Sequence, residues 1–369
     1  MKILFAGGGT GGHVYPAIAL AEALDARAEI RFAGSADRLE RTIVPNAGYP
    51  LDTVSARPLK RSLSPELFAT IGANAIGIVQ AMGLLARFSP DVIVATGGYV
   101  CFPVVIAAKL LRLTGRLHAR ISLLEPNAVP GLTNRLLEPL VDEVWGAFPR
   151  RGHGGKYLHT GVPVRRSILR SVNRVEAARR LGLDPSRRTV LAIGGSLGAR
   201  SVNEAVAALV TRRRLPPDWQ VLHVSGRRDY AYMQAEERGV FEGNAVVLVP
   251  YLEDMGDAYA VCDAAVARAG ASTLAELAAA GVPSVLVPYP FASEDHQTAN
   301  AREFEASGAA SVIADRDLNA DSLWWTLRSV MEPARLAQMR DAARSLGGRD
   351  AVTVILARID ALSGRKSAA

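Results

Sequence analysis

Cysteine is nearly absent: the 369 residues hold two, Cys101 and Cys262, far apart and outside any Cys-x-x-Cys pattern. That excludes a disulfide scaffold and fits a reducing compartment. Aromatic residues make up only 6%, and there is no zinc-finger spacing, RNP-like strand or long basic run, so nucleic acid is not an expected partner. No uninterrupted apolar run reaches the ~18 to 20 residues of a membrane-crossing helix. The chain is therefore expected to be soluble or at most peripheral. Met1 to Gly9 leads straight into a strand and a glycine loop, so no signal peptide is expected. Asp315-Arg316-Asp317 matches a D-x-D metal signature, but it follows the last strand and reads as a linker before an N-cap. No other His, Asp or Glu cluster has metal spacing, and neither metal nor cofactor is expected.

Glycine (33), proline (20) and 49% hydrophobic residues are what an α/β enzyme with many tight turns needs. The length exceeds what one core usually serves, which predicts two domains. A net charge of +7 favours an acidic partner such as a nucleoside diphosphate or an anionic lipid headgroup.

The pattern of elements repeats. Lys2 to Ala6 reads as a buried strand, Gly7 to His13 as a glycine loop, and Pro16 to Leu24 as a helix; this order makes a phosphate-cradling turn. Gly7, Gly9 and Gly12 also satisfy G-x-G-x-x-G, the dinucleotide fingerprint, which wants an acid at the end of the second strand. That strand, Ile30 to Ala33, ends instead in Gly34-Ser35. A second glycine turn, Thr96 to Tyr99, follows the strand Asp91 to Ala95. At Thr189 to Ile193, followed by Gly194 to Ala199, the whole pattern restarts. Strands alternating with helices in both halves predict two Rossmann-like, doubly wound parallel sheets, facing each other across a cleft.

Three stretches carry chemistry. His13 follows two glycines and precedes a helix, where an imidazole tends to stay neutral; it is either a general base or a turn cap. Residues 268 to 300 read as a Gly270 to Thr273 turn, a helix Leu274 to Ala280, a strand Ser284 to Val287 and a polar loop Ser293 to Asn300. Backbone amides at that helix start suit a diphosphate, Glu276 a ribose, and Gln297 a sugar hydroxyl; an ordinary αβ unit with a solvated glutamate reads equally well. The helix Pro65 to Phe88 is apolar around most of its circumference, with Lys60, Arg61 and Arg87 flanking it. Such a helix is either interior or turned to anionic lipid.

Taken in order, Gly8 to Pro16, Gly97 to Val100, Gly161 to Arg165, Gly194 to Ala199, Tyr251 to Met255, Arg268 to Glu276 and His296 to Ala301 resemble the MurG family, bacterial glycosyltransferases of family 28. The likeness spans nearly the whole chain. It implies a GT-B fold, with an acceptor and membrane-association domain over 1–163, a UDP-N-acetylglucosamine domain over 164–348, and a closing helix over 349–369 that crosses back to the first. It implies inverting transfer of N-acetylglucosamine from UDP-GlcNAc to an undecaprenyl-diphosphate-linked muramyl-pentapeptide. Location at the cytoplasmic face of the plasma membrane follows, with the anionic membrane surface and other cell-wall synthesis proteins as partners. On this resemblance His13 is the base. Thr10, Gly11, Gly12, Asn127, Arg165, Ser196, Leu252, Gly270, Ala271, Ser272, Thr273, Glu276 and Gln297 meet the donor. Gly8, Gly9, Gly97, Gly98 and Tyr99 meet the acceptor diphosphate. Pro126, Val162 and Cys101-Phe102 depart from the family pattern. The alternatives are another GT-B transferase with a lipid or natural-product acceptor, a UDP-sugar epimerase, and a non-catalytic UDP-sugar sensor.

Overall fold

The computed structural model describes residues 1–58, 65–150, 155–195, 198–212, 215–236, 245–347 and 350–364. The chain divides into two compact units, the first made of Met1–Arg165 with Arg349–Ala369 and the second of Arg166–Gly348.

The first unit is a seven-stranded sheet of β1 (Lys2–Gly7), β2 (Glu29–Gly34), β3 (Leu51–Thr53), β4 (Val92–Gly97), β5 (Arg120–Glu125), β6 (Glu143–Gly146) and β7 (Tyr157–His159). Its order is β3-β2-β1-β4-β5-β6-β7, and every pairing is parallel. Strands covered on both faces need apolar residues at every position, and all six residues of β4 are buried. From β1 the chain builds outward to β3, then returns to lay β4 on the other side of β1. That reversal opens a crevice at the carboxyl ends of β1 and β4, where open α/β sheets bind ligands.

The second unit repeats the plan with β8 (Arg188–Ile193), β9 (Trp219–Val224), β10 (Ala245–Val249), β11 (Cys262–Ala267), β12 (Ser284–Leu286) and β13 (Ala310–Val312). The order is β10-β9-β8-β11-β12-β13, again parallel throughout. Its reversal lies between β8 and β11.

Several boundaries differ from the sequence reading. The first helix runs Gly11–Leu24, starting five residues before Pro16. Proline favours the first helical turn, but here Thr10 is extended (φ −140°, ψ 157°), and its carbonyl accepts from the His13 and Val14 amides at 3.1 and 3.4 Å. His13 therefore stands in the helix, not before it. Likewise Ala271–Ala280 is helical with Gly270 as N-cap, so Ala271 to Thr273 form the first turn. The stretch read as a polar loop is a short 3-10 turn, Ser293–Asp295, followed by the helix His296–Ala306.

The helix Pro65–Phe88 is neither wholly interior nor evenly apolar. Ala81, Leu84, Leu85 and Phe88 join the core, while Phe68, Ile71, Ile76 and Val79 are 78%, 55%, 56% and 69% exposed. Counting only unbroken apolar runs missed its reach: Phe68–Phe88 is long and apolar enough to cross a membrane by length and composition, with 33% of its apolar window buried in the unit.

The helix Ala351–Leu362 packs on the first unit. Ile355 and Ile359 are fully buried in one cluster with Ile3, Phe5, Ile18 and Trp145. Arg358 pairs with Glu143, which also accepts from Trp145 Nε1 at 2.9 Å. Truncating Ile355→Ala should destabilise the first unit by ~2–5 kcal/mol, read as lost hydrogen-exchange protection in β1 and in this helix. A change confined to the helix alone would show that it does not share the unit's core.

Candidate active site

At the first reversal two glycine loops touch. A Cβ on Gly98 (φ +83°) would stand 2.3 Å from the Gly8 carbonyl oxygen, and one on Gly97 (φ +104°) 2.4 Å from His13 Nδ1. Both positions combine a left-handed backbone with no room for a side chain, so only glycine fits. Cys101 ties the loops from below: it is fully buried, its Sγ lies 3.1 Å from both the Ala6 and Gly97 carbonyls, and it accepts from the Gly97 amide at 3.2 Å. Burial pushes that thiol up to about 12, which keeps it a neutral hydrogen-bonding group.

His13 Nδ1 lies 3.0 Å from the Thr96 carbonyl oxygen. A carbonyl can only accept, so Nδ1 carries the proton, and in the neutral ring Nε2 is the basic nitrogen. Gly9 (φ +91°) rests against the Tyr99 ring. The Gly9 amide donates to Glu40 Oε2 at 3.0 Å. Arg165 stacks over the Tyr15 ring at 4.4 Å, beside the start of the helix that carries His13.

Asn127 follows β5, next to β4. Its amide and its Nδ2 donate to Glu125 Oε1 at 2.9 and 3.2 Å, while Asn134 Nδ2 donates to Oε2 at 2.7 Å. Glu125 is 1% exposed. Burial pushes its carboxyl above the usual range, against those hydrogen bonds and the Arg150 cation, which pull it down.

In the second unit the helix Ala271–Ala280 begins with no side-chain cap and no acidic residue in its first turn, which leaves a helix N-terminus suited to an anion. Ser272 Oγ is buried there without a hydrogen-bond partner among the described residues. Glu276 Oε2 accepts from the Tyr259 hydroxyl at 2.9 Å. Because Tyr259 sits on the helix Met255–Val261 just after Leu252, this bond links the Leu252 segment to Glu276. Gln297, on a helix rather than a loop, accepts the Tyr289 amide on Oε1 at 3.0 Å. Before it, Glu294 and Asp295 hold positive φ (55° and 53°) without being glycine, a strain of roughly 1–3 kcal/mol each. Arg268 is structural: it donates to the Val287 and Pro288 carbonyls, to Ser201 Oγ at 2.9 Å and to Asp315 at 2.6 Å. That bond accounts for the first acid of the D-x-D match. Among the described residues no group of three His, Cys, Asp or Glu could hold a metal.

The candidates thus gather in two places. Gly8 to His13, Gly97 to Tyr99, Asn127 and Arg165 belong to the first unit; Leu252, Gly270 to Thr273, Glu276 and Gln297 belong to the second. Ser196, with the flanking Lys60 and Arg61, lies outside the described residues. Sequence reasoning missed the groups that orient these: the Thr96 carbonyl, Glu40, Glu125 and Tyr259. The available signal was an acid near a strand's carboxyl end: Glu125 closes β5, and Glu40 follows the loop after β2, which ends in Gly34.

A family model described as the glycosyltransferase family 28 N-terminal domain matches residues 3–145, and one described as the family 28 C-terminal domain matches 189–355. The chain is 39% identical to the UDP-N-acetylglucosamine–N-acetylmuramyl-(pentapeptide) pyrophosphoryl-undecaprenol N-acetylglucosamine transferase of Desulforudis audaxviator, over 99% of each. It is 39% identical to the protein of the same name from Halothermothrix orenii, covering 94% of this chain and 95% of that one. Among solved structures it is similar to Acinetobacter baumannii MurG, with a TM-score of 0.76 and 26% identity over 98% and 99% of the two chains.

The Glu125 carboxyl should titrate above an ordinary glutamate, because burial raises it. A raised acid weakens the fold as pH climbs through its unfolded and then its folded pKa, so its contribution is most favourable in acid. Carbon-detected NMR of the side-chain carboxyl checks this; a midpoint below the usual glutamate range would contradict it.

Proposed function

The chain belongs to glycosyltransferase family 28, with its GT-B fold, and we propose that it transfers N-acetylglucosamine from UDP-GlcNAc to the muramyl 4-hydroxyl of an undecaprenyl-diphosphate-linked muramyl-pentapeptide. The observation that carries the chemistry is the bond between His13 Nδ1 and the Thr96 carbonyl, which makes Nε2 the proton acceptor. The acceptor oxygen attacks the anomeric carbon opposite UDP, and its proton goes to Nε2. The bond to the UDP oxygen breaks with its electron pair, and the configuration inverts. In the second unit the uncapped start of the helix Ala271–Ala280 meets the leaving charge, as fixed dipoles do where charge develops. Within the second unit Glu276 takes the ribose, the Leu252 backbone the uracil, and Gln297 the sugar. The second glycine turn, Gly97 to Tyr99, faces the acceptor diphosphate.

A separate feature favours work at a membrane. In the first half of the helix Pro65–Phe88, polarity is inverted. Thr70 and Asn74 are buried, and Asn74 and Gln80 hydrogen-bond backbone groups of Arg57 and Ser55. Phe68, Ile71, Ile76 and Val79 face outward, and no charged residue occurs between Phe68 and Ala86. Leu113 and Leu136, 76% and 48% exposed, are further exposed apolar side chains on later helices of the same unit. Exposed Arg87, Arg116 and Arg135 supply cations. We read this as the surface that docks on anionic lipid at the cytoplasmic face of the plasma membrane, where the acceptor's lipid is anchored.

Purified protein should release UDP and form the disaccharide-lipid only when the lipid-linked acceptor is present; donor binding without transfer would point to another acceptor or a sensor. His13→Ala should cut turnover by ~10² to 10⁴-fold with the KM for UDP-GlcNAc unchanged, and unaltered turnover would remove the base. The double substitution Ile76→Ser with Val79→Ser should reduce sedimentation with anionic vesicles at least about tenfold while leaving turnover on a detergent-soluble acceptor intact. Undiminished vesicle binding would refute the docking surface.

A further inference from the structure

The first glycine loop already holds an anion, and it is the protein's own. Glu40 is completely buried. Its Oε1 accepts from the Ser35 amide at 3.0 Å and the Ser35 hydroxyl at 2.5 Å, and its Oε2 accepts from the Gly9 amide at 3.0 Å. Three donors converging on one carboxylate are what a buried charge requires. The slot is cut to it: a Cβ on Gly8 would stand 2.1 Å from Glu40 Oε1, and one on Gly34 2.7 Å from Glu40 Cγ. Two glycines that read as phosphate-loop and strand-end glycines are small because this side chain passes between them.

Resting on the acceptor-side reading given above, we infer that Glu40 is the positioning residue of this loop: its carboxylate fills the loop's anion seat from inside, fixes Gly9 and through it the His13 helix, and excludes the acceptor diphosphate from the Gly8 and Gly9 amides. The path is short. Gly9 (φ +91°) is held between Glu40 and the Tyr99 ring, and the next residue, Thr10, gives its carbonyl to the amides of His13 and Val14. An amide spent on Glu40 cannot also serve a phosphate, and a second anion at that distance is repelled. The diphosphate is left with the second turn, Gly97 to Tyr99.

Glu40→Gln is the discriminating change. A glutamine has one oxygen to accept from Ser35 and an NH₂ that opposes the Gly9 amide, so the Gly9 tie breaks and the charge goes. Turnover should fall about 10- to 100-fold through displaced His13, with the KM for UDP-GlcNAc unchanged. Inorganic pyrophosphate, titrated calorimetrically with saturating UDP on the donor side, should bind about tenfold tighter than to the unaltered protein. Glu40→Asp keeps the charge on a shorter arm and should reject pyrophosphate as the unaltered protein does, with intermediate turnover. Unchanged turnover in Glu40→Gln overturns the positioning role; pyrophosphate binding that weakens or stays the same overturns the seat. If Glu40→Gln fails to fold, Glu40→Asp decides alone, and full turnover in it overturns the inference. The pyrophosphate titration needs no turnover, so a wild-type protein inactive on the lipid acceptor would fault the proposed function and leave this test standing.

Discussion

Everything at the first reversal depends on how closely two backbone loops approach. β1 and β4 are adjacent parallel strands whose register slips between Ala6 and Gly7, so that Gly7 lies opposite Gly97; the loops leaving them emerge side by side, too close for a side chain on either facing surface. Gly97 and Gly98 meet that demand, and the gap they leave is filled from one side by the His13 ring. The carbonyl of Thr96 then settles which imidazole nitrogen is basic. The second unit obeys the same rule: a Cβ on Gly198 would stand 2.2 Å from the Ser225 carbonyl oxygen, and one on Gly194 2.3 Å from the Ala199 amide. Beneath that loop Asn203 donates to both Ser225 and Asp229, and its own oxygen meets His223 Nε2 at 3.0 Å. Parallel packing dictates the glycines, and buried polar groups then fix where the loops stop moving.

Charge follows a different logic from the one net composition suggests. The excess of arginine reads as attraction for an anionic partner, yet many arginines are spent within the fold. Asp142 accepts from Arg112, Arg120 and the Ile121 amide; burial alone would raise it, but these bonds hold it below the usual carboxylate range. Asp257 is pulled down chiefly by its bonds with Arg180 and then by Arg170. Asp263 pairs with Arg174 and Arg340. Glu125 and Glu40 are the contrast: buried carboxylates satisfied mainly by amides and hydroxyls, each standing behind a residue of the candidate site. An acid held by neutral donors fixes backbone position without using up a cation.

The alternation of strands and helices was legible because a strand buried on both faces must be apolar throughout, as Val92 to Ala95 and Val190 to Ile193 are. The restarted pattern at Thr189 was legible for the same reason. Helix starts were not. Pro16 drew the first boundary too late, since the extended conformation of Thr10, which no local residue preference announces, begins the helix at Gly11. Ser293 to Asn300 looked like a loop because its polar residues hide the helix that carries Gln297, and the positive φ of Glu294 and Asp295 has no sequence signature. The residue types of the site were visible, but not their supports. Glu40, Glu125 and Tyr259 act through contacts spanning 31, 9 and 17 positions, and a single sequence does not state such contacts.

The helix Pro65–Phe88 shows why composition alone left two readings open. Its mean apolarity is compatible with an interior helix, a surface one or a membrane-crossing one; the deciding fact is which face its few polar residues take. Thr70 and Asn74 point inward, where Asn74 is satisfied by the Arg57 backbone, so the outward stripe of the same turns is apolar by default. Leaving Phe68, Ile71, Ile76 and Val79 in water forgoes roughly 1.5–3 kcal/mol for each side chain that could be buried, a cost that contiguous apolar surface normally repays by contact with another apolar phase. Lower in the same helix the polarity turns the usual way, with Leu84, Leu85 and Phe88 in the core and Arg87 outside. One helix is thus anchored in the sheet at its C-terminal end and offers an apolar face at the other. On the function proposed above, that is the arrangement expected of an enzyme whose lipid-linked acceptor stays in its bilayer.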